Sequence, residues 1–370
     1  MNFCSLLCCS SLKITFYAIV FGLSKRLKDL SENGDPLEKL SQIVDFEQFR
    51  SELETGLNFS ERLKGGRPPH DAVVVFKILV LQTLYNLSDD QIEYQIQDRL
   101  SFMRFLGLHL SEKVPDSKTI WLYRERFSKD GLMDRLFSKF GDTLVNQGYL
   151  AMGGQIVDAS IIQAPRQRMT KAEKEQVKKG EIPKDWQAKP NQLAQKDLDA
   201  RWMVKYTKAK DDTKGAVDLA IPFFGYKNHL STDRRFGFIR KSQVTAANAF
   251  DGHILPDLLD SANTCRDVYG DTAYNTAENQ THLEKRGFRS KLHCKKPKRK
   301  TMPTLIKRGN TTKSRIRAHV EHVFAVQKEQ MGLFVRTIGL KRAKIKIGLA
   351  NLTYNMKRLI FWEQRKLLMG

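Results

Sequence analysis

The sequence predicts an α/β protein in which an all-helical N-terminal region precedes a mixed sheet with helices packed on it. Three observations support this. After Asp71 the chain reads AVVVFKILVLQTLY, ending at Tyr85, and apolar residues nearly all round suit a helix buried on every side. Residues 155–162, QIVDASII, are dense in β-branched side chains, as expected of a buried strand. From there to the C-terminus strand-like and helix-like runs alternate, the pattern of a layered sheet with helices.

Taken in order, residues 1–27 read as an N-terminal extension. The apolar run 3–22 resembles a signal or anchor, but Lys13 interrupts it, serines including Ser10-Ser11 dilute it, and no basic segment leads into it. Residues 28–150 form the helical region. The loop Gly65-Gly66-Arg67-Pro68-Pro69 precedes the helix after Asp71. Ser88-Asp89-Asp90-Gln91 is a capping box that opens a helix to about Arg99. Asp116 is placed to cap a helix over Ser117–Phe127, and another runs to about Val145. The pair 88–99 and 117–128 suits a helix-turn-helix, and equally a bundle used for packing or dimerisation.

Residues 151–370 form the sheet domain. After the strand at 155–162 comes a polar, charged insertion over 165–215 containing Trp186 and Trp202. Segments 222–233 and 236–248 flank Arg234-Arg235 as a β-hairpin. A short helix over Asp251–Asp260, a strand at 265–271, a helix at Thr276–Lys285 and a strand at 288–294 follow. Two helices, about 312–331 and 340–366, close the chain.

A formal net charge of +22 implies a polyanionic partner, and its clustering favours nucleic acid over a membrane. Five cysteines, an odd number without zinc-finger spacing, indicate neither a disulfide framework nor structural zinc. A reducing, cytoplasmic location follows, at the nucleoid for a DNA-binding protein.

Three carboxylates stand in unusual places. Asp158 lies inside a buried strand, where it needs a cation, a basic side chain or backbone donors. Asp271 ends a strand just before a turn and helix, where α/β sheets gather ligand sites. Glu321 lies beside the apolar stripe Ile316, Val320, Val323 and Phe324, and on a regular helix falls within about 40° of Arg317 and Lys328. Residues 291–317 hold eleven Lys or Arg and no Asp or Glu, so Glu321 ends a tract along which a DNA backbone would run. Two or three hard carboxylates suffice to bind magnesium for displacement at phosphorus.

The ordered motifs VDASIIQAP (157–165), FGYKNHLSTD (224–233), VTAANAFD (244–251), GDTAYN (270–275), RIRAHVEHVF (315–324) and GLANLTYNMKR (348–358) resemble the DDE transposases of bacterial insertion sequences, specifically the insertion-sequence-five group. Residues 66–108 are similar to that group's N-terminal domain. The resemblance implies a ribonuclease-H-like core with Asp158, Asp271 and Glu321 as catalytic triad and metal ligands. It implies Mg²⁺ or Mn²⁺, with two ions, cleavage of double-stranded DNA at terminal inverted repeats, and strand transfer to a target. It also implies DNA contacts from Lys227, His229, Arg315, Arg317 and Lys328, and a homodimer or larger assembly with no membrane partner. Arg317, Glu321 and Lys328 match the group's signature, while Ser314 stands at its tyrosine position. A nuclease without strand transfer and a transposase-derived DNA-binding protein share these features.

Overall fold

The computed structural model describes residues 22–57, 69–129, 131–207, 219–297 and 300–369. Residues 1–21 of the N-terminal extension, with Cys4, Cys8 and Cys9, the expected loop up to Pro68 and residues 208–215 of the insertion lie outside them; Cys265 and Cys294 are free thiols.

Eight helices come first: 22–32 (α1), Pro36–Ile43 (α2), Arg50–Gly56 (α3), Ala72–Tyr85 (α4), Asp89–Asp98 (α5), Leu100–Leu106 (α6), Ser117–Phe127 (α7) and Leu132–Asn146 (α8). Local chemistry sets the ends of several. Asp71 accepts hydrogen bonds from the Val73 and Val74 amides at 2.9 and 3.1 Å, and α4 stops at Asn86 in the left-handed region. Ser88 and Gln91 close the expected capping box on α5, and Asp116 caps α7 through the Thr119 amide at 2.7 Å. Helix α4 is central, with Val75, Phe76, Ile78, Leu79, Val80 and Leu81 buried among the rings of Phe49 and Phe127. Helix α6 and a loop separate α5 from α7, and both helices bury their apolar sides in one core.

The sheet is built from Gln155–Gln163 (β1), Arg201–Thr207 (β2), Leu219–Asp233 (β3), Ile239–Ala246 (β4), Asp267–Gly270 (β5) and Arg289–Leu292 (β6). Strand β1 pairs antiparallel with β3 and parallel with β5, which pairs parallel with β6. Strand β3 also pairs antiparallel with β4 over residues 226–232 and with β2 over residues 219–225. Gly225 marks the change of partner; a Cβ there would collide with the Ile162 carbonyl, so the crossing needs glycine. This is the ribonuclease-H-like arrangement, a mixed sheet with helices on both faces.

The described part of the insertion, residues 165–207, holds regular structure despite its polar composition. It folds as Lys171–Lys178 (α9), Lys184–Gln187 (α10) and Pro190–Leu193 (α11) before feeding β2 into the sheet. Trp186 is buried and donates to Glu173 at 2.8 Å, while Trp202 packs on Phe224. Aromatic burial supplies the apolar area that the charged sequence around it lacks.

The predicted helix over 251–260 is a 3₁₀ turn at Asp251–Ile254 followed by Leu255–Leu258 (α12). Ala277–Lys285 (α13) matches its expected position. Thr304–Ala325 (α14) starts earlier than expected, and Leu340–Met369 (α15) closes the chain. Between them Val326–Gln330 forms a π turn.

Side chains alternate across β1. Val157 faces Leu255, Leu258, Val268 and Tyr274, beneath α12 and α13. Ile156 and Ile162 face Val320, Val323 and Phe324 of α14, together with Ala343, Ile347 and Ala350 of α15. The other side of α15, through Leu349, Leu352 and Met356, belongs to the core of the N-terminal helices. One long helix therefore joins the two cores. On the sheet side Asn228 of β3, Gln327 of the π turn and Asn351 of α15 are fully buried and satisfy one another, with Asn228 Nδ2 donating to Asn351 Oδ1 at 2.8 Å.

Among the described residues no single helix is long and apolar enough to cross a membrane; α4 and α5 reach that composition only as a pair bent by 102°.

Candidate active site

The parallel strands β1 and β5 bring Asp158 and Asp271 together. Asp158 projects from the middle of β1 on the α14 face. Its Oδ1 accepts from the Ala159 amide at 2.8 Å, and its Oδ2 accepts from Arg317 Nη1 at 2.9 Å. Burial pushes the carboxyl up to about 6; Arg317 opposes the shift, and the charges of Asp271 and Asp251 add to it. Asp271 follows the last residue of β5, and its Oδ1 accepts from the Ala273 amide at 2.8 Å. That short turn is the usual use of an aspartate at a strand end, and it aims the carboxylate beyond the sheet.

Glu321 is on α14, four residues after Arg317. Its Oε1 lies 3.7 Å from Arg317 Nη2, and the side chain is 64% exposed. The guanidinium therefore sits between the helix carboxylate and the strand carboxylate. Asp158 and Asp271 are electrostatic neighbours, whereas Glu321 joins them only through Arg317. Among the described residues no group of three His, Cys, Asp or Glu side chains is close enough to hold a metal ion. The Asp158–Asp271 pair alone offers hard oxygens whose mutual repulsion a cation would relieve, and magnesium commonly takes one or two carboxylates together with substrate phosphate and water.

The other predicted contacts divide. Arg315 is exposed on α14. Lys328 departs from the expected line with Arg317 and Glu321 because the π turn changes the helical phase. It lines a groove with Lys205, Gln163 and Phe223, while Glu321 lines a separate hollow with His322, Ala325 and Glu329. Partial burial and the charge of Lys205 push the Lys328 ammonium below its usual range.

Lys227 and His229, expected to approach a DNA backbone, are instead buried, with 5% and 0% of their surface exposed. Lys227 Nζ donates to the Ala249 carbonyl at 2.7 Å and to Asp251 Oδ1 at 2.8 Å. His229 Nε2 lies 2.8 Å from Thr245 Oγ1, and burial pushes its imidazole down to about 4. Both side chains leave the sheet on the Val157 face, opposite Asp158, because Ile161 and Ala159 are their register partners. A strand covered on both sides has no solvated face, so alternation alone misplaced them.

Three further residues border the site that the sequence did not single out, although Tyr274 and Asp251 lie within the motifs GDTAYN and VTAANAFD. Tyr274 is buried, its hydroxyl has no hydrogen-bond partner among the described residues, and its environment includes the charges of Asp158, Asp251 and Asp271. His293, just after β6, is held down in pKa by burial and by the cations Arg317 and Lys313, and it feels Asp271. Asn275 Nδ2 donates to the His293 carbonyl at 2.9 Å, and Ser314 Oγ lies 3.3 Å from His293 Nε2. The position expected to carry tyrosine thus touches a neighbouring imidazole. Asp251 is the third.

Half-buried carboxylates on and just after neighbouring strands, a bridging arginine and a cationic tract leading into α14 suit binding and displacement at a phosphodiester. Comparison with known proteins agrees. A family model described as Transposase domain (DUF772) matches residues 12–126, and one described as Transposase DDE domain matches residues 150–356, more than half of the chain. No solved structure matches significantly. The second match contains Asp158, Asp271 and Glu321, and this chain belongs to the DDE transposase family.

Proposed function

We propose that the chain is a transposase of the insertion-sequence-five group that cleaves DNA at terminal inverted repeats and joins the ends to target DNA. The observation that supports this best is the pairing of Asp158 and Asp271 on neighbouring parallel strands, with Arg317 reaching Asp158 at 2.9 Å from the helix that carries Glu321. In this reading Asp158, Asp271 and Glu321 would hold divalent cations, Mg²⁺ or Mn²⁺ and two in number, and Arg317 would serve a DNA phosphate. Such ions, when held there, would activate the attacking oxygen and stabilise the leaving one. Arg315 and Arg317 grip the backbone, and the Lys205–Lys328 groove takes a second stretch of it. Joining two ends calls for a dimer or larger assembly.

A donor plasmid carrying the element's ends tests the proposal. Asp158→Asn and Asp271→Asn each abolish cleavage while end binding persists; cleavage that survives either change overturns the assignment. Pre-cut ends separate joining from hydrolysis alone, because a nuclease produces no joined product. One observation favours a second reading, a DNA-binding protein that does not cut: Glu321 is exposed and paired with Arg317. Wild-type binding to the ends without cleavage in Mg²⁺ or Mn²⁺ would select it.

A further inference from the structure

Behind the Asp158–Asp271 pair, on the opposite face of the sheet, lies a buried cation that DNA cannot reach. Lys227 Nζ is held by Asp251 Oδ1 at 2.8 Å and by the Ala249 carbonyl, and the Lys227 side chain is 6% exposed. The neighbouring His229 Nδ1 lies 3.8 Å from the same Asp251 oxygen and has no hydrogen-bond partner among the described residues. A buried ammonium is costly unless paired, and removing its partner leaves an uncompensated positive charge.

Asp251 is also tied to the turn that carries Asp271. A Cβ on Gly252 would come within 2.8 Å of the Ala273 carbonyl, so the two turns lie in direct backbone contact. Buried Asn279 clamps them, with its Nδ2 donating to the Gly252 carbonyl at 2.8 Å and to the Tyr274 carbonyl at 2.9 Å. Asp251 therefore lies within electrostatic reach of Asp158, and Asp158, Asp251 and Asp271 all act on the buried Tyr274 hydroxyl. Three carboxylates and one internal ammonium share this region, with Arg317 entering from the other face.

We propose that Lys227 and Asp251 form a positioning couple for cation binding, in which Asp251 cancels the charge of Lys227 that would otherwise oppose a divalent ion at Asp158 and Asp271. The inference rests on the reading of Asp158 and Asp271 as cation ligands. Neither member of the couple is itself a catalytic residue. The field inside a poorly screened site acts over several ångströms, so an unpaired ammonium there weakens cation binding without touching the ion.

The test is Mn²⁺ binding to the full-length protein without DNA, measured by titration calorimetry and by the paramagnetic signal of free Mn²⁺. Asp251→Asn should weaken binding about tenfold, because Lys227 is then unopposed. Lys227→Met should tighten it severalfold, because Asp251 then adds its charge to the site; a purely structural role gives no tightening. The double variant K227M/D251N should return to within about threefold of wild type, as expected when two residues act through one shared charge balance. Lys227→Met also keeps the inference testable if Asp251→Asn does not fold. Asp158→Asn is the control for the underlying assignment, and its failure to abolish Mn²⁺ binding overturns that assignment. If Asp158→Asn abolishes binding, the couple is overturned by unchanged or weaker binding in Lys227→Met. A double variant no better than Asp251→Asn overturns it as well.

Discussion

Arg317 Nη1 donates to Asp158 Oδ2 at 2.9 Å, while Nη2 of the same guanidinium lies 3.7 Å from Glu321 Oε1. One cation on α14 thus faces a half-buried strand carboxylate on one side and an exposed helix carboxylate on the other. Its planar fork can change partners without a change in backbone, which suits a group that guards carboxylates and then grips phosphate.

Arg317→Ala should reduce end cleavage by on the order of 10²-fold, the usual cost of one electrostatic donor at a reacting phosphate or oxyanion. Binding to the ends should weaken as well, with the slope of log affinity against log salt falling by about one. Equilibrium binding at several salt concentrations checks this, and an unchanged slope excludes a phosphate contact.

Glu321 is largely exposed, so its removal isolates chemistry from folding. Glu321→Gln should leave unfolding free energy within about 0.5 kcal/mol of wild type while abolishing donor cleavage. Urea unfolding together with the plasmid assay decides it. Normal cleavage removes Glu321 from the site.

Asp158 sets a pH dependence of stability. Its folded value of about 6 is raised, so its contribution is fully present below about pH 4, fades as pH rises, and is lost above about 6. Asn at this position carries no such dependence. The stability of Asp158→Asn relative to wild type should therefore rise between about pH 4 and 6, by up to ~3 kcal/mol for a shift of about two units. Urea unfolding in chelator at several pH values measures it. A difference constant with pH contradicts the burial argument.

Asn228→Leu should destabilise the protein by about 1–3 kcal/mol, because Gln327 and Asn351 keep buried polar groups with a partner removed. Since that cluster seats the π turn and α15 on β3, cleavage should fall too. N228L/N351L should cost less than the sum of the two single changes. Additive losses would mean that the two residues act independently.

Local signals in the sequence determined most of the elements and the placement of the three acidic residues on β1, after β5 and on α14. Apolar density marked α4, Ser88–Gln91 and Asp116 marked the starts of α5 and α7, and β-branched density marked β1 with Asp158 in it. Asp271 was legible because a strand end followed by a turn has its own chemistry, and the ordered motifs made the family recognisable. These signals need only neighbouring residues, so they survive without a fold. Tertiary structure alone decided the rest. The two tryptophans turned a charged insertion into an ordered layer that delivers β2 to the sheet. The π turn moved Lys328 off the line of Arg317, because helical phase answers to packing as well as spacing. Lys227 and His229 went inside because α12 and its preceding turn cover that face of β3, a contact no strand pattern encodes. Whether Glu321 meets Asp158 directly or through Arg317 depends on positions 159 apart in the chain, Asp158 and Arg317, closing on one point, and only the assembled sheet and helix determine that distance.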